Sequence, residues 1–403
     1  MSKINDLIKE LCPCGVEYTT IENIIKSYSS GLNPRQNFKL NEEEAKLYYV
    51  TVKEMTTGKI VFSDKTDRIT KEAWYKIQNR SKLETNDVLL SGIGTIGKVA
   101  LVDIPVDNWN CSESVILLKP KTNIIVPKYL VHLLRSNNVQ EQWNNNSVGS
   151  TLKGLRKENV LKTKIALPPL VVQEEIVRIL DKFGELEAEL EAELEARKSQ
   201  YEFWRGKLLD KKNYNYKKYN ITEICKSISA GGDVPEDTIK GISKPQDDYR
   251  YPVISNGVGE NAIYGYSKNY RVDVQSCVTI AARGTIGYHE VRHGKFTPII
   301  RLITLIPDEE IVSAKYLHYA LYGHEFKPSG GSIPQLTTPT VKQLDLMIPP
   351  IEEQNRVVSI LDKFNSLVND ITVGLPAEIE LRRKQYEYYR NKLLSFEELS
   401  VSE

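Results

Sequence analysis

The chain is 403 residues long, 40% hydrophobic and 27% charged, an ordinary globular composition with room for two or three domains. Lys plus Arg number 54 and Asp plus Glu 53, so overall charge points to no polyanionic partner, although a local basic patch can hide in that balance. No run of eighteen apolar residues exists, and the five cysteines (Cys12, Cys14, Cys111, Cys225, Cys277) are odd in number and mostly scattered, which argues against a disulfide framework and for a cytoplasmic setting.

At the N-terminus, Ile4, Leu7, Ile8 and Leu11 form an amphipathic stripe that predicts a short helix, not a signal core. Cys12 and Cys14 follow, too close together for a zinc knuckle and without a second pair. From there the chain is written twice. "KSYSSG" at residue 26 returns as "KSISAG" at residue 226, and "GTIG" at residue 94 returns at residue 284. "KYL" at Lys128 recurs at Lys315, "PPLVVQEEIVRILDKF" at Pro168 becomes "PPIEEQNRVVSILDKF" at Pro349, and "YEFWRGKLL" at Tyr201 becomes "YEYYRNKLL" at Tyr386. The anchors keep their order while the sequence between them differs, so each half is a variable part followed by a more similar segment.

In the variable parts, "DVLLSGIGTIGKVALV" and "SCVTIAARGTIGYHEV" both read as strand, tight turn, strand. The similar segments read as helices. Ile176, Leu180, Phe183, Leu186, Leu190, Leu194, Tyr201, Trp204 and Leu208 fall on one helical stripe, and Val357, Leu361, Phe364, Leu367, Ile371, Leu375, Ile379, Tyr386, Tyr389 and Leu393 on its repeat. The displacement grows from 181 at Pro168 to 185 at Tyr201, so the second helical region is one tetrad longer. The first carries "ELEAELEAELEA" over residues 185–196, and the second contains Gly374 and Pro376, which predict a kink or break. A stripe of this length cannot be buried alone, and the expected partner is the equivalent stripe of the other half, in an antiparallel coiled coil related by an internal pseudo-two-fold. Its interface is assigned to Ile176, Leu180, Phe183, Leu190, Leu194, Leu361, Phe364, Ile371 and Ile379. The fold class is α+β: two mixed α/β globular parts with β-rich cores, separated by two long helical regions.

Two motifs invite catalytic readings that their context does not support. His289 to His293 spell H-E-x-x-H, but the repeat aligns them with the strand-like residues 99–103, and histidines four apart on a strand stand about 13 Å from each other, too far to share an ion. "GIGTIGK" over residues 92–98 resembles a phosphate cradle, yet Val99 follows where Ser or Thr and a helix are required. A methyltransferase's glycine loop and N-P-P-Y site, and a nuclease's spaced acids, find no convincing match. The polar remainder has a better use. The loops "SVGSTLKGLRKENV" (residues 147–160) and "SGGSIPQLTTPTV" (residues 329–341), with the glycine turns, carry side chains that bind phosphates and read base edges. The candidates are Lys98, Ser150, Thr151, Lys153, Arg156, Arg283, Thr285, Ser332 and Gln335; "KKNYNYKKY" over residues 211–219 interleaves basic and aromatic residues nearby in sequence.

The paired "LPPLVVQEEIVRILDKF" and "IPPIEEQNRVVSILDKF" segments, the paired helix ends, the paired "GTIG" turns and the alternation of variable and similar regions resemble the DNA-specificity subunit of type I restriction-modification systems, over essentially the whole chain. The resemblance implies target-recognition domains at residues 1–166 and 211–347, and conserved helical regions at residues 167–210 and 348–403. It implies that each recognition domain reads half of a bipartite, asymmetric site in double-stranded DNA. The helical regions would act as a spacer ruler and dock two methyltransferase subunits that bring S-adenosylmethionine. Restriction subunits would supply ATP- and Mg-dependent work. The chain itself would be non-catalytic, with no membrane and no cofactor or metal of its own. The competing expectation is a protein-interaction scaffold with two β-rich heads on a coiled coil and no DNA role.

Overall fold

The computed structural model describes all residues except 1, 57, 94, 146–153, 211–214, 323, 325, 327–333, 371 and 400–403. It divides the chain into two units, one of Met1–Glu191 with Glu378–Glu403 and the other of Ala192–Ala377. Each unit therefore holds one variable part and a piece of each helical region.

In the first unit the helix Ser2–Leu11 precedes a four-stranded antiparallel sheet of order Ile25–Ser30, Val115–Pro120, Val88–Ser91, Val99–Leu101. In the second, the first four positions of a seven-stranded sheet run Cys225–Ala230, Leu302–Pro307, Val272–Ala281, His289–Pro298, the same order built from the corresponding anchors. Both sheets obey the two-residue period of a strand buried on both faces. Val88 and Leu90 enter one core and Leu89 the other, just as Val278 and Ile280 enter one core and Cys277 the other. The repeated "S-x-G" anchor also acquires a cause. A Cβ on Gly31 would stand 1.7 Å from the carbonyl oxygen of Cys111, and one on Gly231 would stand 2.3 Å from that of Ile299. Only glycine lets the strand end lie against that backbone.

The similar segments are anchored by the same clamp twice. Gln173 is fully buried; its amide nitrogen donates to the carbonyls of Ile124 (3.1 Å) and Pro168 (2.8 Å), and its oxygen accepts from the Val126 amide (2.8 Å). Gln354, equally buried, donates to Ile311 (2.8 Å) and Pro349 (2.9 Å) and accepts from Ser313 (3.1 Å). The salt bridge Lys128–Asp181 (2.6 Å) likewise recurs as Lys315–Asp362 (2.5 Å). Replacing Gln173 by Leu strands two carbonyls and one amide inside the core and is expected to cost about 2–4 kcal/mol, read as a lower denaturant midpoint.

The first helical region is one continuous helix, Leu170–Leu208. The second is broken, as Gly374 and Pro376 predict, into Ile351–Asn369 and Leu375–Leu393. Asp370 caps the break, its carboxylate accepting from the amides of Thr372 (2.7 Å) and Val373 (3.3 Å), and Pro376 sits in the first turn of the new helix, where its missing N–H costs nothing. The extra tetrad is thus spent in a turn and does not lengthen a helix. Within the first unit the helices run antiparallel: Phe183 stacks on Tyr389 at 5.3 Å, and Arg383 pairs with Glu187 (2.7 Å) and Glu191 (2.5 Å). Within the second, Tyr201 packs on Phe364 at 6.4 Å.

The predicted interface is unevenly buried. Ile176, Leu180 and Leu361 are fully buried and Ile379 is 6% exposed, and Ile176 and Leu180 go into the sheet-facing core of their unit together with Tyr386 and Leu393. Phe183, Phe364, Leu190 and Leu194 are half-buried, and Leu186 is 39% exposed, because over the "ELEA" stretch charged pairs to Arg383 replace apolar packing. Ile371 lies outside the described residues.

Candidate nucleic-acid interface

His289 and His293 lie on the strand His289–Pro298, paired antiparallel with Val272–Ala281, so the H-E-x-x-H letters make no chelating helix. Both ring nitrogens of His289 face backbone carbonyls, those of Gly287 (2.9 Å) and His318 (3.0 Å). The phosphate-cradle letters are a turn between strands Val88–Ser91 and Val99–Leu101, with Gly97 at φ +85°, and its copy places Gly287 at φ +82°.

What the sequence does not reveal is how these turns meet the polar loops. In the first unit the amide of Leu155 donates to the carbonyl of Gly92 (2.8 Å), and Ile93 bridges to Gly154. In the second, the amide of Leu336 donates to the carbonyl of Ala282 (2.7 Å). In each unit the glycine turn thus meets the described end of the polar loop, with Arg156 beside it in the first and Arg283, Thr285 and Gln335 in the second. Arg156, Thr285 and Gln335 are exposed and Arg283 is half-buried. Ser150, Thr151, Lys153 and Ser332 lie outside the described residues.

A third segment joins them in each unit. Ala282 donates its amide to the carbonyl of Arg301 (2.8 Å), and Gly92 donates its amide to that of Ser114 (2.9 Å). Arg301 is exposed and holds φ +78°, a left-handed backbone uncommon for a bulky side chain. Sequence reading missed it because the contact spans nineteen positions and leaves no local pattern.

Lys98 is half-buried, and its ammonium donates to the carbonyl of Val52 (3.0 Å), which ties the turn to the chain after strand Leu47–Val50. The second unit makes the equivalent tie with other atoms: Asn256, after strand Tyr251–Ile254, donates to the carbonyl of Arg283 (2.6 Å) and accepts from the Thr285 hydroxyl (2.9 Å). Thr285 is therefore partly engaged in holding its own turn.

These features align with known proteins. Residues 13–196 and 213–381 both match the family described as type I restriction modification DNA specificity domain. A Mycoplasma pneumoniae protein assigned as a type I specificity subunit is 36% identical over 303 residues, 72% of this chain and 88% of that protein. The Escherichia coli type I restriction enzyme EcoR124I/EcoR124II specificity subunit is 36% identical over 267 residues, 59% of this chain and 64% of that one. Among solved structures, a chain from a study of complex assembly and conformational transition in the type I R-M system superposes with TM-score 0.61 at 17% identity, covering 94% of this chain and 97% of that one. The type I S subunit from M. genitalium superposes at TM-score 0.55 and 14% identity, covering 94% and 96%. At such identities the superpositions speak for the fold, whereas the two family matches cover both copies of the repeat. The chain belongs to the type I restriction-modification DNA specificity family and carries two of its DNA recognition domains.

Proposed function

We propose that each unit reads one half of a bipartite, non-palindromic DNA target through the surface where its glycine turn, polar loop and third segment converge. The observation that supports this is that the same backbone scaffold, centred on Gly92 and on Ala282, presents different side chains in the two units: Ser114 and Arg156 against Arg301, Arg283 and Gln335. A shared frame with unlike readers suits two unlike half-sites.

The chain does no chemistry in this reading. The helical regions dock methyltransferase subunits, which bring S-adenosylmethionine and methylate adenine, while restriction subunits bring ATP and Mg. Two copies of one methyltransferase fit the duplicated aromatic steps. Phe203 is 63% exposed beside Trp204, and Tyr388, its counterpart in the repeat, is 60% exposed beside Tyr389. Exposed aromatic pairs at equivalent positions are what two equivalent interfaces require. Among the described residues, no helix is long and apolar enough to cross a membrane, and a cytoplasmic site of action follows from the proposed partners.

The test is co-expression with the cognate methyltransferase subunit and single-molecule mapping of methylated adenines. One bipartite, asymmetric motif is expected; a soluble complex that leaves no motif overturns the reading in favour of an interaction scaffold. Exchanging residues 15–160 for those of a relative should change one half-site only. Arg283→Ala and Arg301→Ala should each weaken specific binding by about 1–3 kcal/mol and relax only the second half-site. Lys98→Met should lower stability by about 1 kcal/mol, since its ammonium holds the Val52 carbonyl.

A further inference from the structure

The first unit contains a cleft of about 660 Å³ between its globular part and its helices. Arg390 lines it, is 7% exposed, and has an Nε with no hydrogen-bond partner. Among the described residues, no carboxylate lies within ion-pair reach of its guanidinium. Arg390 and Arg135 both lie over the ring of Tyr386, at 5.4 and 5.8 Å from its centroid. The Tyr386 hydroxyl faces His132 Nδ1 (3.2 Å) and accepts from Arg135 (3.5 Å). Burial, and then the charge of Arg135, pull the pKa of Arg390 below its ordinary value.

The second unit shows what a self-sufficient version looks like. Arg205, the repeat counterpart of Arg390, pairs with Glu202 and lies over Tyr322 at 4.5 Å and Tyr201 at 5.4 Å. Tyr322 stands where the first unit has Arg135, as the "KYL" anchors at Lys128 and Lys315 align them. Glu387, the counterpart of Glu202, lines the first unit's cleft and favours the charge of Arg390 from beyond ion-pair distance, as the Tyr386 hydroxyl does from closer by. The first unit thus has an arginine where the second has Tyr322, and its Arg390 is buried without the ion pair that Arg205 makes. A buried guanidinium is stable only when its charge and its N–H groups are met.

We propose that this cleft binds a free oxyanion of the phosphate class, held by Arg390 and Arg135 with the Tyr386 hydroxyl beside them. The guanidinium fork matches two oxygens of such an anion. Carboxylates line the cleft as well, Glu185, Glu189 and Glu387 among them, while Glu187 and Glu191 are paired with Arg383, so an anion is held only where the two guanidiniums meet it directly. The site is independent of the DNA-reading surfaces and goes beyond their proposed role.

The test is thermal unfolding of the full chain in inorganic phosphate against sodium chloride of equal ionic strength. At a phosphate concentration about tenfold above its Kd, the first unit's transition should rise by about 3–5 °C. Arg390→Gln should abolish the rise. Arg135→Tyr, which copies Tyr322 of the second unit, should abolish most of it, whereas Arg205→Gln should leave it intact. Because phosphate also stabilises proteins non-specifically, a rise that persists undiminished in both first-unit variants overturns the proposal, as does the absence of any rise in the parent chain. If phosphate has no effect while Arg135→Tyr weakens duplex binding and flattens its salt dependence, the arginines serve DNA and the free-anion site is wrong.

Discussion

Deleting residues 189–192, one "ELEA" tetrad, is expected to change the unspecified spacer of the methylated site by one or two base pairs and to leave both half-sites unaltered. The helix Leu170–Leu208 is continuous, and the division between the two units falls within it, after Glu191. Four residues fewer shorten it by about 6 Å and turn one end by about 40° relative to the other. One base pair contributes about 3.4 Å of rise and about 35° of turn, so both parts of the helix's screw correspond to one or two steps of the duplex. The local sequence tolerates the change because the repeat restores itself. The shortened chain again offers glutamates at positions 187 and 191 to Arg383 and a leucine to the stripe, so the pairs Arg383–Glu187 and Arg383–Glu191 can re-form. The second helical region offers no such ruler, since its extra residues lie in the Asp370–Gly374 turn. Mapping methylated adenines for the deletion decides the matter, and an unchanged spacing would refute the ruler.

The parts of this architecture that sequence reading reached are those with local or repeated signatures. The strand-turn-strand units needed only alternation around "GTIG", and the helix break needed only a glycine and a proline two residues apart. The H-E-x-x-H letters were dismissed by their alignment with a strand, and they do lie on one. The reading surfaces were half legible. Composition pointed to the turns and the loops separately, but their convergence depends on single amides, those of Leu155 and Leu336, whose register no periodicity encodes. The tie that Lys98 makes was hidden for the same reason: a lysine after a glycine turn looks outward in sequence, and only the position of the Val52 carbonyl shows that it also holds the turn. The half-exposed middle of the helical stripe was hidden too, because "ELEA" keeps the leucines at four-residue spacing while a helix turns every 3.6 residues, so the row drifts away from the buried face.

Acidification from pH 7 to pH 4.5 is expected to destabilise the chain, the second unit most, through histidines that the fold keeps neutral. Burial, and then the nearby charge of His289, push His318 down to about 4, and its Nδ1 is buried without a hydrogen-bond partner. Its ring is 4.9 Å from that of His289 and 5.1 Å from that of Tyr322, and among the described residues no carboxylate is bonded to it. Burial lowers His289 as well. In the unfolded chain a histidine titrates near 6.5. A group whose folded pKa lies below its unfolded one takes up protons on unfolding, so its stabilising effect is complete above pH 6.5 and disappears as pH falls towards 4. For His318 the difference of about 2.5 units corresponds to about 3 kcal/mol, most of it gone by pH 4.5. In the first unit burial lowers His132 likewise, but its Nε2 faces the carboxylate of Asp181 at 3.2 Å. Burial alone would raise Asp181, yet the hydrogen bonds from His132 and Lys128 outweigh it and hold that carboxylate below its usual range. Because His132 is lowered as well, the first unit also loses stability as pH falls through the histidine range, although its Nε2 bond persists while Asp181 stays ionised. His318→Phe keeps a ring in the same aromatic pocket and removes the titration. Urea midpoints measured between pH 7.5 and 4.5 should fall steeply for the parent chain and by clearly less for His318→Phe. Parallel curves would show that the buried histidine does not set the acid limit of this fold.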